Sequence, residues 1–203
     1  MSGTFDTSVV RAEELQSVWL TYPQRSLSQQ RFAVRQTGHR WEVTLTTKPM
    51  QRSEWQKLLA FHSQQRGQYN TFSYTSVALA TPLGALAGST YSVTVSGTSH
   101  SASGTTVAFA GLPNSSVFLK AGDLLKFANH SKVYAVESTS VTSSTSGTGT
   151  VTIFPELVSS LANAEAVTYQ NVPFTMAFGE DAPKWPVEVT ELMEMQLNLQ
   201  EAF

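Results

Sequence analysis

The chain has 203 residues, enough for one large domain or two small ones with a buried core. Hydrophobic residues make up 41% of it and charged residues only 14%, so hydroxyl side chains, glycine or contacts with other subunits must cover the surface. The net charge of −2 argues against a protein that coats nucleic acid, and the absence of cysteine excludes disulfides and thiolate metal sites.

The sequence shows no sign of export or membrane insertion. The first sixteen residues contain neither a basic region nor an apolar region, so we expect no Sec signal. No apolar run approaches the roughly 18–20 residues that are needed to cross a bilayer. We therefore expect a protein that does not insert into a membrane.

Charge is distributed unevenly along the chain. Residues 1–74 carry nine Lys or Arg and five Asp or Glu, residues 75–168 carry three and four, and residues 169–203 carry one and six. The basic first part and the acidic last part would complement each other if they fold together.

The first third of the chain predicts three strands joined by turns. Residues 17–22 favour a strand that Pro23 closes, and residues 29–36 favour a second one. Residues 37–39 (Thr-Gly-His) suit a hairpin turn that leads into the strand at 40–46, where apolar and polar side chains alternate.

A helix and another strand follow. Pro49 interrupts regular pairing, and Ser53 with Gln56 three residues later fits a capping box. The helix that this predicts ends at Gly67, which suits a left-handed conformation. Residues 69–74, rich in aromatic side chains, then favour a strand.

The composition changes near Thr75. From there to Thr168 about forty of roughly ninety residues are Ser, Thr or Gly, and charges nearly vanish. Apolar residues still alternate at 91–95, 107–109, 133–135 and 151–153, which a disordered linker would not maintain. This pattern predicts a small all-β barrel or sandwich inserted into another domain.

The last part of the chain predicts strands that return to the first sheet. Residues 174–178 favour one strand, and from Val187 to Leu199 apolar side chains alternate with polar ones. A strand that long needs partners, and the only strands of similar quality lie in residues 30–74. We therefore predict a split core domain over 1–75 and 169–203, with an inserted domain over 76–168.

The residues give no catalytic, cofactor-binding or metal site, so we expect neither an enzyme nor a cofactor. The four histidines (His39, His62, His100 and His130) lack the spacing of metal ligands. No serine lies in a Gly-x-Ser-x-Gly elbow. No glycine-rich stretch is followed by the Lys-Ser/Thr pair of a phosphate-binding loop. The arginines nearest to a basic patch are Arg25, Arg31, Arg35, Arg40 and Arg52. Without a nucleic-acid motif, an outward strand face or a subunit contact explains them better.

Several stretches resemble the distal tail proteins of long-tailed siphophages. Residues 40–50 (RWEVTLTTKPM), then 55–67 and Thr71-Phe72, resemble the N-terminal core of that family. Residues 187–203 resemble its C-terminal return strand. Residues 120–134 and 150–155 resemble a small β-domain that decorates phage structural proteins.

The resemblance implies a mainly β fold with one core helix: a split β-sandwich like that of tail-tube subunits, with an inserted barrel of the oligonucleotide-binding (OB) type. It further implies a structural virion protein, assembled in the host cytoplasm. Such a subunit would form a hexameric ring at the phage tail tip and join the tail tube to the baseplate hub. It implies no specific binding of nucleic acid.

A carbohydrate-binding or host-adhesion module is the alternative from another class. Its site would lie on the Ser/Thr-rich inserted domain, with Tyr91, Phe118 and Tyr134 as the aromatic residues. A cell-wall hydrolase is a third interpretation, for which the sequence offers no acid, base or nucleophile constellation.

Overall fold

A computed structural model of the chain describes residues 3–97, 100–185 and 192–203. Over these ranges the fold is mainly β, with one short 3₁₀ turn (Thr7–Val9) and one α-helix, α1 (Arg52–Gln65). The described strands are β1 (Val10–Arg25), β2 (Arg31–Thr47), β3 (Phe72–Thr75), β4 (Thr94–Val95), β5 (Thr106–Ala110), β6 (Val117–Lys120), β7 (Leu124–Phe127), β8 (Val133–Val136), β9 (Ser140–Thr142), β10 (Thr148–Phe154), β11 (Val167–Thr168), β12 (Pro173–Phe178) and β13 (Gln196–Glu201). The predicted fold class is confirmed.

The first sheet is built from both ends of the chain. Its order is β1-β2-β13-β12-β3, and its neighbouring strands are antiparallel. β13 pairs with β2 from Gln196 opposite Thr46 to Gln200 opposite Glu42. Leu197 and Leu199 alternate with these polar residues and are buried, which fixes the register of the strand. The predicted return of the C-terminal segment to the first sheet is confirmed.

Helix α1 covers one side of this sheet. Leu58 and His62 are buried, and the ring of Phe61 meets those of Phe72 and Phe178 edge-on. The N-terminus differs slightly from the prediction: Gln51, not Ser53, is the cap, and its backbone N–H donates to the Glu54 side chain at 3.2 Å. The predicted capping box was therefore placed two residues too late.

The middle of the chain forms a nearly closed barrel. Its main sheet has the order β11-β7-β8-β10-β5-β4. An isolated bridge between Thr94 and Ala166 brings the two edge strands together, and the Val95 N–H donates to the Glu165 carbonyl at 2.8 Å. Strands β6 and β9 form a separate ladder. The OB-type assignment and the predicted domain boundaries stay predictions.

The prediction of a hairpin turn at residues 37–39 is wrong. β2 runs through these residues without turning, and the reversal lies at Ser26–Gln30, where the Ser26 N–H donates to the Gln30 carbonyl at 2.9 Å. Opposite Leu20 the ladder shifts register, and three residues of β2 face one residue of β1. Gly38 therefore lies at an irregularity within a strand, a second common use of glycine.

Pro23 does not close the first strand either. It lies within β1, opposite Ala33. Because β1 is at the edge of the sheet, a residue without an N–H is tolerated there.

The C-terminal strand is shorter than predicted. The alternation suggested a strand from Val187, but β13 begins at Gln196, and residues 186–191 lie outside the described residues. Met193 pairs with Met50 only as an isolated bridge, with N–H···O distances of 2.9 and 3.0 Å. Met193 and Met195, which belong to the apolar pattern, are nevertheless buried before the regular strand begins. No helix among the described residues is long and apolar enough to span a membrane.

Gly67 offers a test of the turn that ends α1. Its φ is +63°, and an added Cβ would lie 2.6 Å from Asp181 Oδ1. Gly88 has a similar φ of +64° but open space around the position. We expect Gly88→Ala to lower the free energy of unfolding by about 1 kcal/mol through backbone strain, and Gly67→Ala by about 2 kcal/mol or more. Urea unfolding curves check this, and equal losses would show that the approach of Asp181 has no cost.

Candidate assembly interface

The β1–β2 hairpin continues past the sheet as an arm, which we define as residues 20–35. Only β1 and β2 pair along it, from Thr21 opposite Arg35 to Arg25 opposite Arg31. Between residues 19 and 39 no third strand of the described residues lies beside this hairpin, because β13 pairs with β2 only between residues 42 and 46. The arm therefore stands on a two-stranded ladder, which is marginally stable in water on its own.

One face of the arm is apolar and exposed. Tyr22 lies opposite Val34, and Gln24 lies opposite Phe32, so these four side chains share a face. Tyr22 and Phe32 are each 53% exposed and Val34 is 64% exposed. Leu27, in the turn at the tip, is fully exposed. Exposed apolar side chains clustered in this way are typical of an interaction surface.

The arm is also basic. Residues 20–35 include three arginines and no Asp or Glu. The backbone register places Arg25 and Arg31 directly opposite each other on the face that does not carry Tyr22. Two of the five arginines that the sequence singled out thus lie together at the tip of the arm. Two others belong elsewhere: Arg40 pairs with Glu42, and Arg52 begins α1.

His39 lies at the base of the arm in an aromatic cluster. Its ring centroid is 4.7 Å from that of Trp19 and 4.8 Å from that of Trp41, and its Nε2 is 2.9 Å from Ser17 Oγ. Burial, together with the nearby Lys132 ammonium, lowers the pKa of His39 to about 4. The imidazole is therefore neutral at pH 7, and it acts as a packing group.

A buried ion pair joins the barrel to the first sheet below the arm. Lys132, just before β8, donates to the Glu201 carboxylate of β13 and, at 2.7 Å, to the His39 carbonyl. Glu201 also accepts from the Trp41 N–H at 3.1 Å and from the Val133 N–H at 2.9 Å. Burial lowers the pKa of Lys132, and the Glu201 carboxylate opposes that shift by stabilising the ammonium form.

Further contacts extend this junction. The indole N–H of Trp41 donates to the Val133 carbonyl at 2.9 Å, and Lys126 Nζ donates to the Pro173 carbonyl at 2.7 Å. Buried residues of the barrel, Leu124, Val133 and Ala135, belong to the same apolar core as the first sheet. The barrel and the sheet are therefore joined by packing as well as by polar contacts.

Glu13 holds the segment that leads from β3 into the barrel. Its carboxylate accepts from the Tyr74 and Ser76 hydroxyls, and from the N–H groups of Val77 and Ala78 at 3.1 and 2.7 Å. Burial raises the pKa of Glu13, but the hydrogen bonds from Ser76, Tyr74 and the two backbone groups outweigh it, and the pKa lies below its ordinary value. Burial and the neighbouring carboxylate raise the pKa of Tyr74. This anchor was not visible in the sequence, because Glu13 lies about sixty residues from its partners.

The residues proposed for a carbohydrate site on the barrel do not form one. Phe118 and Tyr134 are completely buried in the core of the barrel, and only Tyr91 is half-exposed. The composition of this segment suggested surface aromatics, but the aromatics fill the barrel because a small barrel needs large side chains inside. Among the described residues there is no group of three or more His, Cys, Asp or Glu side chains that could hold a metal ion.

Comparison with known families identifies the barrel. Residues 85–172, which include β4 to β11, match the family model described as distal tail protein pb9, B domain. The resemblance to phage distal tail proteins is thereby confirmed. The match covers 88 of the 203 residues and supports a structural role in a phage tail. A search of curated proteins gave no match.

The buried ion pair of Lys132 and Glu201 predicts that substitutions of these two residues are strongly coupled. Its two side chains are at most 2% exposed. We expect Lys132→Met and Glu201→Leu each to lower the free energy of unfolding by about 3–5 kcal/mol, because each leaves the other charge buried without its counter-ion. The double variant should lose much less than the sum.

The exposed pair Arg11–Glu194, with atoms 3.2 Å apart, is the control for this cycle. Arg11→Ala should cost about 0–1 kcal/mol. Additive losses at Lys132 and Glu201 in urea unfolding would contradict the coupling.

His39 predicts a pH dependence of stability. Its pKa is about 4 in the folded chain against an ordinary value of 6.5, so the unfolded chain binds more protons between these values. The stability that depends on neutral His39 is present above pH 6.5 and decreases as the pH falls towards 4. Unfolding curves across this range should show a weaker decrease in His39→Gln than in the parent chain. An unchanged slope in His39→Gln would contradict the assignment.

Proposed function

We propose that this chain is a ring-forming, non-enzymatic subunit at the distal end of a phage tail. The ring, a hexamer assembled in the host cytoplasm, joins the tail tube to the tip or baseplate hub. The observation that carries the proposal is the arm, an extended hairpin that exposes Tyr22, Phe32 and Val34 on one face. Its family, that of the distal tail proteins, supplies the setting in a phage tail.

The arm suits a contact between copies of the chain. By strand geometry its five paired positions, from Thr21 to Arg25, span about 15–17 Å, enough to reach across several strands of a neighbour. The arm is basic, whereas residues 169–203 carry six Asp or Glu and one Lys. An arm from one subunit that binds a different surface of the next makes a heterologous contact, and a rotation that closes gives a ring.

The junction gives the ring a second property. Because Lys132, Glu201 and Trp41 connect the barrel to the sheet, the barrel would follow the orientation of its own subunit. In a ring whose sheets face the axis, the barrels would then project outwards at one fixed angle. In this arrangement the core domain supplies the assembly contacts and the barrel decorates the ring.

Removal of the apolar face of the arm tests the proposal. We expect the parent chain to form a ring by mass photometry and negative-stain microscopy at micromolar concentration, alone or with tail-tube protein. Tyr22→Ser combined with Phe32→Ser should shift the population to monomers by at least tenfold in apparent affinity, because these side chains are buried only in the assembly.

Tyr69→Ser is the matched control, since Tyr69 is exposed and lies outside the arm. Circular dichroism should show an unchanged fold in all variants. A parent chain that stays monomeric with and without tail-tube protein, or rings that persist in the double variant, would contradict the proposal.

A further inference from the structure

The two edges of the arm expose different backbone groups. The Ser26 N–H donates to the Gln30 carbonyl at 2.9 Å, so these two residues form a hydrogen-bonded pair at the end of the ladder. Hydrogen-bonded and non-hydrogen-bonded pairs alternate along antiparallel strands. Counted from this pair, the first, third and fifth pairs along the arm therefore direct their N–H and C=O groups outwards. These pairs are Arg25–Arg31, Pro23–Ala33 and Thr21–Arg35.

Pro23 makes the outer edge of β1 unsuitable for another strand. It occupies the central outward position of that edge and has no N–H to donate. Proline on an edge strand is one of the ways in which proteins prevent pairing with another chain. The residue directly opposite is Ala33, which keeps its N–H. The arm therefore has one blocked edge, on β1, and one complete edge, on β2.

The complete edge of β2 has no partner among the described residues. β13 pairs with β2 only as far as Glu42, and no other described strand or isolated bridge lies beside residues 31–35 on this side. β13 is also the strand that follows β2 in the sheet order. A strand added to residues 31–35 would therefore continue the first sheet beyond the end of β13. An unpaired edge of this kind is a template for β-strand addition.

The side chains along the open edge determine which strand fits it. Phe32 and Val34 are exposed on one face, and Arg31 is exposed on the other. Neighbouring side chains on one face of a sheet interact, so apolar residues suit Phe32 and Val34 and an acidic residue suits Arg31. Arg25 lies directly opposite Arg31, and residues 20–35 contain no Asp or Glu. The two arginines therefore favour a strand that brings its own carboxylates.

A second copy of the arm does not meet these requirements. Two arms joined edge to edge would bring the arginines of both copies together, and like charges side by side destabilise a sheet. An extended segment in which apolar and acidic residues alternate meets both requirements, because successive side chains of a strand point to opposite faces.

We propose that the open edge of β2 binds an extended segment of a different chain, with alternating apolar and acidic residues, as an added strand. The segment pairs with the backbone of Arg31, Ala33 and Arg35, and its acidic side chains lie on the face of Arg31. This contact goes beyond the proposed ring, because it uses the edge of the arm and a different chain, whereas the contact between copies uses the apolar face.

Titration of the full chain with synthetic peptides tests this contact. The probe is an acetylated octapeptide in which Val and Glu alternate, and the comparison peptide has Lys in place of Glu. We expect saturable binding of the Glu peptide in calorimetry, at least tenfold tighter than that of the Lys peptide. Hydrogen exchange should slow at least tenfold at the amides of Arg31 and Ala33, and it should stay unchanged at those of Thr21 and Arg25.

Two proline variants distinguish the edges of the arm. Ala33→Pro removes an outward N–H from the open edge without removing a hydrogen bond of the ladder, and it should weaken binding of the Glu peptide at least tenfold. Thr21→Pro changes the edge that Pro23 already blocks, and it should bind like the parent. Arg31→Glu keeps the test valid if Ala33→Pro disturbs the arm, because it should reverse the preference towards the Lys peptide.

Four outcomes would overturn the inference: no saturable binding of the Glu peptide, equal binding of the Lys peptide, protection of the β1 edge, or unchanged binding in both Ala33→Pro and Arg31→Glu. Mass photometry of Ala33→Pro separates the two proposals, since its apolar face is intact and it should form rings like the parent. Rings without peptide binding in the parent contradict the edge contact alone, and peptide binding without rings contradicts the ring alone.

Discussion

The buried contact between Lys132 and Glu201 is the interaction on which the arrangement of this molecule depends. It joins the loop before β8, the last strand of the first sheet and, through the His39 carbonyl, the base of the arm. Two charges removed from water are tolerated only when nearly all of their hydrogen-bonding capacity is used, and Glu201 accepts two backbone N–H groups in addition to the ammonium. A displaced β13 or a tilted barrel would break several of these bonds at once, so the contact specifies one arrangement more than it adds stability.

The arm depends on that specification. The described side chains of residues 20–34 lie outside the buried core. The direction of the arm is therefore set where His39 packs between Trp19 and Trp41 and where Lys132 binds the His39 carbonyl. An arm whose base is fixed would lose less conformational entropy on binding a partner than a hairpin that moves freely.

Much of the fold could be predicted from the sequence, because local patterns determine it. The alternation of apolar and polar side chains predicted the strands around Trp41, Val107 and Ile153. The longer alternation at the end of the chain predicted that the C-terminal strand returns to the first sheet, where β13 pairs with β2. The failures occurred where a local signal has two physical meanings. Gly38 suits a turn but lies at a strand irregularity, and Pro23 suits a strand end but is tolerated at a sheet edge. The contacts of Glu13 and Lys132 could not be found at all, because their partners are 61 or more residues away.

The low charge of the chain acquires a physical meaning from these contacts. At the junction, the ammonium groups of Lys126 and Lys132 donate hydrogen bonds to backbone carbonyls, and that of Lys132 also donates to the Glu201 carboxylate. Three of the arginines are placed on a projection that has no acidic residue. A chain with few charges that concentrates them in this way gains little solubility from them and gains specificity for where neighbours bind. Exposed Tyr22, Phe32 and Val34 would promote nonspecific association on a free monomer, whereas Arg25 and Arg31 on the opposite face would favour surfaces that carry acidic groups. The composition that first argued against nucleic-acid binding thus also favours a part whose surface is completed by other subunits.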